Sequence, residues 1–204
     1  MEPQGRGMGG QLDLFGTPAP QLPEGMAFEE EFLSLDDEAE LLAQIESLEL
    51  QEARYKAYTA RRRVMSYGSQ YDFDDNRLLA APAMPDFLKP LRARLAQWAG
   101  IAPEHFTNAL VAEYRPGTPL GWHRDVPDYE LVAGVSLASS ARMRLRRYPP
   151  ANPKKDEVTN LELPPRSAYL LQGEARWGWQ HSIAPTPGLR YSITLRTRRD
   201  RAGM

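Results

Sequence analysis

The chain has 204 residues, of which 42% are hydrophobic, and its formal net charge is −2 at pH 7. These values predict one globular domain and exclude a disordered chain, and the near-neutral charge makes no global case for binding nucleic acid. No apolar run approaches the roughly 20 residues of a membrane span, and the absence of cysteine excludes disulfides, thiolate metal sites and cysteine nucleophiles.

The N-terminal region differs in composition from the rest of the chain. Residues 1–25 are rich in Gly, Pro and Gln, which predicts a flexible segment, and residues 26–204 are predicted to form a single domain. The first residues lack the apolar segment of a secretory signal, so we expect a cytoplasmic protein.

Two amphipathic helices are predicted in the first half of the chain. The first lies within residues 29–52 behind a cap at Ser34 or Asp36, and the second follows Pro85 and ends at Gly100. Their apolar stripes consist of Leu41, Ile45 and Leu48 in the first helix and Leu88, Leu91, Leu95 and Trp98 in the second.

The second half of the chain has the pattern of a β domain. Short β-favouring runs are separated by Pro, Gly and Asn, and they occupy residues 108–114, 131–137, 143–148, 168–172, 177–183 and 190–197. Helices followed by many strands predict a mainly β fold with flanking α-helices. We expect its core to be a double-stranded β-helix, or jelly roll.

The run LGWHRDVPDY, residues 120–129, contains a candidate metal site. In an extended segment His123 and Asp125 lie on the same side, so an imidazole and a carboxylate can reach one ion. A solvated loop is the ordinary alternative. The HRD tripeptide also occurs in protein kinase catalytic loops, but Glu130 stands where that motif requires Asn, and the chain is too short for a kinase.

His181, in the strand-like run WGWQHSI, is the candidate for a third ligand. Two ligands close in sequence and one distant histidine form the 2-His-1-carboxylate pattern, which leaves positions of Fe(II) open for a chelating cosubstrate and O2. A buried imidazole bonded to a backbone carbonyl is the alternative. His105, in a turn-like context, is given no functional role.

The last predicted strand, RYSITLR, carries two arginines on its polar face. Period 2 places Arg190, Ser192, Thr194 and Arg196 together, opposite Tyr191, Ile193 and Leu195. A strand with its polar face in water is the ordinary interpretation. If that face is buried, the arginines need anionic partners, and a small dicarboxylate suits them because guanidinium pairs bidentately with carboxylate. Combined with the metal ligands, this strand indicates 2-oxoglutarate.

At these residues the chain resembles the AlkB family of Fe(II)- and 2-oxoglutarate-dependent dioxygenases. The resemblance extends from about residue 60 to the C-terminus and includes the motifs SYG, PAMPDF, NALVAEYRPGTPLGWHRD, GVSLASSARMRLRR, PPRSAYLLQGEARWGWQHSI and RYSITLR. It places His123, Asp125 and His181 on the iron ligands and Tyr114 on a tyrosine that binds the cosubstrate. Arg190, Thr194 and Arg196 match positions that hold the cosubstrate carboxylates. Two residues depart from the family pattern. Ser192, expected to bind the cosubstrate with its neighbours on this strand, stands where many members have Asn, and Ala112 stands where several members have an Asn that contacts 2-oxoglutarate.

The resemblance also implies a reaction and a substrate. With iron, O2 and 2-oxoglutarate, the family oxidises an alkyl group on a nucleobase nitrogen, so that an aldehyde and the unmodified base are released. The expected partner is therefore alkylated DNA or RNA, bound by a monomer without any membrane contact. The segment RRRVMSYGSQYDF, residues 61–73, occupies the position of the family's nucleotide-recognition lid.

Substrate contacts are predicted within residues 61–73, called here the basic–aromatic segment. Tyr67 and Tyr71 are expected to line the base pocket, and Arg61, Arg62 and Arg63 to hold phosphates. A solvated basic turn followed by a core strand is the alternative. Two other functions also remain open: a dioxygenase of this fold that acts on a protein side chain or small molecule, and a non-catalytic binding module with a vestigial metal site.

Overall fold

The computed structural model describes residues 21–55, 58–152 and 157–200. Most of the predicted flexible segment, residues 1–20, lies outside the described residues. The helices are α1 (Leu35–Glu46), α2 (Lys89–Ala99) and the short α3 (Gly173–Trp177). The strands are β1 (Met26–Glu29), β2 (Gln51–Tyr55), β3 (Tyr58–Tyr67), β4 (Ser69–Asp72), β5 (Arg77–Ala80), β6 (Phe106–Tyr114), β7 (Leu120–His123), β8 (Tyr129–Leu137), β9 (Ala141–Arg147), β10 (Thr159–Leu163), β11 (Ala168–Leu171), β12 (Trp179–Ile183) and β13 (Arg190–Arg198).

Two antiparallel sheets form the body of the domain. The large sheet has the strand order β1-β11-β8-β13-β6-β3-β2, and the small sheet has the order β10-β9-β12-β7. The hairpin β4–β5 forms a third, two-stranded sheet. This architecture confirms the predicted jelly roll with flanking helices.

The core has two layers, one on each face of the large sheet. One cluster packs α1 and α2 against the sheet and includes Ile45, Leu95 and Ile193. The other lies between the two sheets and includes Val132 and Leu145. The large sheet is therefore covered on both faces, and a polar side chain that points between the sheets is removed from water.

Both predicted helices are present, and their ends have identifiable causes. Ser34 caps α1: its hydroxyl accepts from the backbone N–H of Asp37, whose carboxylate accepts from the N–H of Ser34. Gly100 ends α2 in the left-handed conformation, with φ of 69°. None of the helices in the described ranges has the length and apolar character needed to cross a membrane.

The structure differs from the sequence prediction at residues 177–183. The strand starts only at Trp179, because Trp177 ends the helical turn α3. Trp177 is fixed there by a hydrogen bond from its indole N–H to the carboxylate of Glu130. The side chain of His181 nevertheless lies on a strand, as predicted.

Candidate metal and cosubstrate site

A cavity of about 1480 Å³ opens between the two sheets. The alternation of β13 turns Ile193 and Leu195 toward the helices, and turns the polar set into the cavity. That polar set is Arg190, Ser192, Thr194 and Arg196. The polar face of this strand is therefore buried, and the solvated alternative is excluded by the packing of the small sheet above it.

The small sheet brings the three predicted metal ligands together. His181 on β12 lies directly opposite His123 on β7, and their ring centroids are 4.3 Å apart. Asp125 follows two residues after His123, with its Oδ2 3.8 Å from Nε2 of His181. One ligand atom from each residue lies within 4.8 Å of the others, which is close enough for a single ion.

Both imidazoles are held in the neutral form that binds a metal. Burial lowers the pKa of His181 to about 3, with a further contribution from His123, and burial also lowers the pKa of His123. Nδ1 of His123 lies 2.9 Å from the carbonyl oxygen of Gly121. Because a carbonyl only accepts, Nδ1 carries the proton and the lone pair of Nε2 is left for an ion.

Asp125 stays ionised because of its cationic neighbour. Burial alone would raise its pKa, but Arg196 and the two histidines together hold that pKa far below the usual range. Nε of Arg196 donates to Oδ1 of Asp125 at 2.6 Å, and its Nη1 donates to Asn108 at 3.0 Å. Arg196 thus lies beside the metal ligands and has two of its donor atoms already engaged.

At the opposite end of the polar set of β13 lies a buried arginine whose positive charge is not paired with a carboxylate among the described residues. Arg190 is 2% exposed, and its Nε donates to Ser136 at 2.9 Å while its Cζ lies 4.9 Å from the ring centroid of Tyr114. Its Nη1 has no hydrogen-bond partner among the described residues, and no ion pair found there includes it. A buried guanidinium with a vacant donor is suited to bind a carboxylate.

The basic–aromatic segment differs from its prediction. Residues up to Tyr67 form strand β3, which pairs with β6, so the three arginines lie on a strand and not in a turn. Arg62 is 8% exposed and donates to the hydroxyl of Tyr114 at 3.4 Å, beside Arg190. Arg63 points to the other face, where its Nε donates to Glu113 at 2.8 Å. Of the three arginines, Arg61 is the one that is exposed and lines the cavity.

Tyr67 does not line the cavity, contrary to the sequence prediction. Strand alternation places its ring with Ala109 and Val111 in the cluster beneath the helices, where it is 4% exposed. Tyr71, in the hairpin β4–β5, does line the cavity, and its ring lies 5.0 Å from that of Phe73. The hairpin, not the end of β3, supplies the aromatic side chains at the mouth.

Two residues that were not predicted also shape the site. Arg176 on α3 is buried, and its Nη2 donates to the carbonyl oxygens of Asp125, Val126 and Tyr129, which fixes the loop that carries the acidic ligand. Tyr169 on β11 lines the cavity. Both lie within the motif PPRSAYLLQGEARWGWQHSI, but the motif alone assigns them no role, because both act through contacts that are distant in sequence.

Two histidines on the small sheet and one carboxylate in the loop after β7 form the 2-His-1-carboxylate donor set, which is typical of mononuclear non-haem iron oxygenases. Comparison with known proteins identifies the family. The model of the 2OG-Fe(II) oxygenase superfamily matches residues 30–196, so the chain belongs to that superfamily. Its members use Fe(II), 2-oxoglutarate and O2.

Several relatives support the AlkB-like resemblance. An alkylated DNA repair protein ALKBH8 homolog of Arabidopsis thaliana is 29% identical over 177 residues, which cover 75% of this chain and 49% of the relative. A tRNA (carboxymethyluridine(34)-5-O)-methyltransferase alkbh8 of Xenopus tropicalis is 25% identical over 82% of this chain and 26% of its own length. The chain thus spans about half or less of the curated relatives it matches.

Solved structures confirm the fold. OsALKBH1 superposes with a TM-score of 0.69 at 16% identity, covering 89% of this chain and all of that one. A prolyl-4-hydroxylase of Pseudomonas putida superposes with a TM-score of 0.59 at 15% identity, covering 86% of this chain and 93% of the other. At these identities the likeness concerns the fold alone.

Proposed function

We propose that the protein is a dioxygenase that oxidatively removes alkyl groups from nucleobases, with His123, Asp125 and His181 as its iron ligands. The observation that carries the proposal is that this triad and the buried Arg190, whose Nη1 has no hydrogen-bond partner among the described residues, line the same cavity. The names of the curated relatives, one for alkylated DNA repair and one for tRNA modification, support nucleic acid as the substrate class.

The three ligands suit Fe(II). Two neutral imidazoles and one carboxylate form the donor set that this ion takes in oxygenases, and a three-residue set leaves coordination positions open. Bound iron supplies the activation of O2 that permits a carbon–hydrogen bond to be oxidised while 2-oxoglutarate becomes succinate and carbon dioxide. The protein's own contribution is to hold the ligands: Gly121 orients His123, and Arg196 keeps Asp125 anionic.

The polar row of β13 suits 2-oxoglutarate. In the proposal, Arg190 and Tyr114 bind the carboxylate distant from the metal, and Ser192 and Thr194 lie along the carbon chain between them and the metal ligands. Arg62 joins this group because it donates to the Tyr114 hydroxyl, so we reassign it from phosphate binding to the cosubstrate pocket. Arg196, already bonded to Asp125, binds the carboxylate nearest the metal with its remaining donors.

The cavity mouth suits an unstacked base. Tyr71 and Phe73 present aromatic rings there, and Arg61 adds an exposed cation at the rim. Base stacking on aromatic side chains tolerates any base, whereas phosphate contacts hold the backbone in register. The alkyl group of a base held in this way is directed toward the metal ligands at the cavity floor.

The test is 2-oxoglutarate turnover across a panel of alkylated oligonucleotides. Single- and double-stranded DNA and RNA, together with a tRNA anticodon stem-loop, are compared with their unmodified forms, and Asp125→Ala serves as the inactive control. We expect succinate and aldehyde to form with at least one alkylated oligonucleotide and neither to form with the control.

Two other results would contradict the proposal in distinct ways. Succinate that forms equally well without any oligonucleotide, and never with aldehyde, would point to a protein side chain or a small molecule as substrate. Failure of the iron-loaded protein to consume 2-oxoglutarate under any condition would point to a binding module.

A further inference from the structure

Tyr169 occupies a place in the cavity that the proposed function leaves unexplained. It lies on β11 opposite Gly134 of β8, and Gly134 is in turn opposite Thr194 of β13. Its side chain is 7% exposed and lines the same cavity as the metal ligands. A large aromatic residue thus projects from β11, which lies between β1 and β8, into the cavity that the polar side chains of β13 line.

Gly134 is the reason why the ring can reach that far. A Cβ atom at Gly134 would lie 2.5 Å from Cζ and 2.6 Å from the hydroxyl oxygen of Tyr169, closer than atoms can approach. The phenol ring therefore rests directly on the backbone of β8. Its hydroxyl end lies over that strand, on the cavity side of the sheet that Thr194 also lines.

The row of the sheet that contains Tyr169, Gly134 and Thr194 lies between the two arginines of β13. On one side of this row, Arg190 donates to Ser136, which pairs with Ser192. On the other side, Arg196 donates to Asp125. Asp125, Arg190 and Arg196 are all near enough to influence the pKa of Tyr169, which burial raises. The phenol thus borders the space that a ligand held by both arginines must cross.

We propose that Tyr169, seated on Gly134, is a positioning residue that limits the length of the 2-oxo acid bound between Arg190 and the metal ligands. This inference rests on the proposed assignment of Arg190 and Arg196 to the two cosubstrate carboxylates. A six-carbon acid fixed at both ends must bulge by one methylene, and the phenol ring occupies the space for that bulge. The five-carbon acid lies flat along it.

The experiment compares the binding of 2-oxoglutarate with that of six-carbon 2-oxoadipate, measured by calorimetry on the Fe(II)-loaded protein without oxygen. Because one methylene in a shaped pocket is worth about 10-fold or more, we expect the wild type to prefer 2-oxoglutarate by at least that factor. Tyr169→Leu should reduce this preference about 10-fold, mainly by improving 2-oxoadipate binding. Tyr169→Phe keeps the ring and should keep the preference.

Tyr191→Phe is the matched control, because Tyr191 lies on the helix-facing side of β13 and should leave both affinities unchanged. Gly134→Ala displaces the ring into the cavity and should weaken both acids. An unchanged preference in Tyr169→Leu would overturn the proposal. If that variant does not fold, unchanged affinities in Gly134→Ala would overturn it instead.

A failure of the underlying assignment is distinguishable from a failure at Tyr169. If Arg190→Ala binds 2-oxoglutarate as tightly as the wild type does, the carboxylate assignment itself is wrong. If Arg190→Ala loses binding but the Tyr169 variants do not change the preference, only the role of Tyr169 is wrong.

Discussion

At the scale of single residues, His181 and Asp125 have roles that binding measurements can separate from folding. Removing one of three ligands leaves too few donors for a divalent ion, so His181→Ala and Asp125→Ala should each lose Fe(II) affinity. The loss should exceed the roughly 10- to 100-fold that changes around a ligand typically cause. Equilibrium dialysis of Fe(II) without oxygen measures it, and circular dichroism checks the fold.

The third histidine of the chain supplies the matched control for these variants. His105 lies in a 3-10 turn before β6, away from the triad, so His105→Ala should bind Fe(II) as the wild type does. Undiminished iron binding by His181→Ala would remove this residue from the metal site.

Substitution of Arg190 and substitution of Arg196 should affect cosubstrate and iron binding differently. Arg190 contacts no metal ligand in the structure, so Arg190→Ala should raise the Kd for 2-oxoglutarate by about 100-fold, as expected for loss of a buried charge pair, with iron binding intact. Arg196 stabilises the anion of Asp125, so Arg196→Ala should weaken iron as well. Calorimetry with each ligand gives both constants. Exposed Arg142, paired with Glu162, is the control.

At the scale of secondary structure elements, the hairpin β4–β5 and strand β3 should contribute to substrate binding through different interactions: base stacking by Tyr71 and a phosphate contact by Arg61. Tyr71→Ala should lower turnover of an alkylated oligonucleotide and leave the salt dependence of binding unchanged, because stacking releases no counterions. Arg61→Ala should reduce the slope of log affinity against log salt by about 0.7–0.9, the value for one phosphate contact. Arg94, exposed on α2 and paired with Asp37, is the control. Equal salt slopes in the Arg61 and Arg94 variants would remove Arg61 from the interface.

The pairing of β3 with β6 should make stability depend on pH through Glu113. Hydrogen bonds from Arg63 lower the pKa of Glu113 below its usual value of 4.5, so the stabilisation from this ion pair is complete above that value and is lost as the pH falls through the lower, folded-state pKa. Glu113→Gln should therefore cost about 1 kcal/mol of unfolding free energy at pH 7, because Arg63 is partly exposed. In urea unfolding, the free energies of unfolding of the wild type and of Glu113→Gln should converge as the pH is lowered. A cost that does not change with pH would assign the loss to packing.

Much of this element structure was accessible from local patterns, and some was not. The Ser34 cap, the Gly100 stop and the alternation of RYSITLR are local signals, and each matches the structure. No local signal shows which face of β3 is turned to the helices. Pairing with β6 places Tyr67 in the core and Arg62 next to Tyr114, and the composition of the segment does not reveal this. Tyr169 and Arg176 act on residues 25 to 51 positions away, so only the folded sheet identifies them.

At the scale of the whole molecule, the site exists only because two sheets face each other. The small sheet supplies His123 and His181, and the large sheet supplies Arg190 and Thr194 across the cavity. Helices α1 and α2 cover the far face of the large sheet, so that β13 can bury apolar side chains on one side and charged ones on the other. The proposed iron, cosubstrate and substrate positions thereby lie in one cavity.

The most direct test of this account is the ratio of succinate to aldehyde released from an alkylated oligonucleotide by the wild-type protein. If the cosubstrate and the alkylated base share the one metal site, the two products must appear in equal amounts, and both must disappear in Asp125→Ala. Succinate without aldehyde, or aldehyde that survives in Asp125→Ala, would contradict the claim that this cavity dealkylates nucleobases.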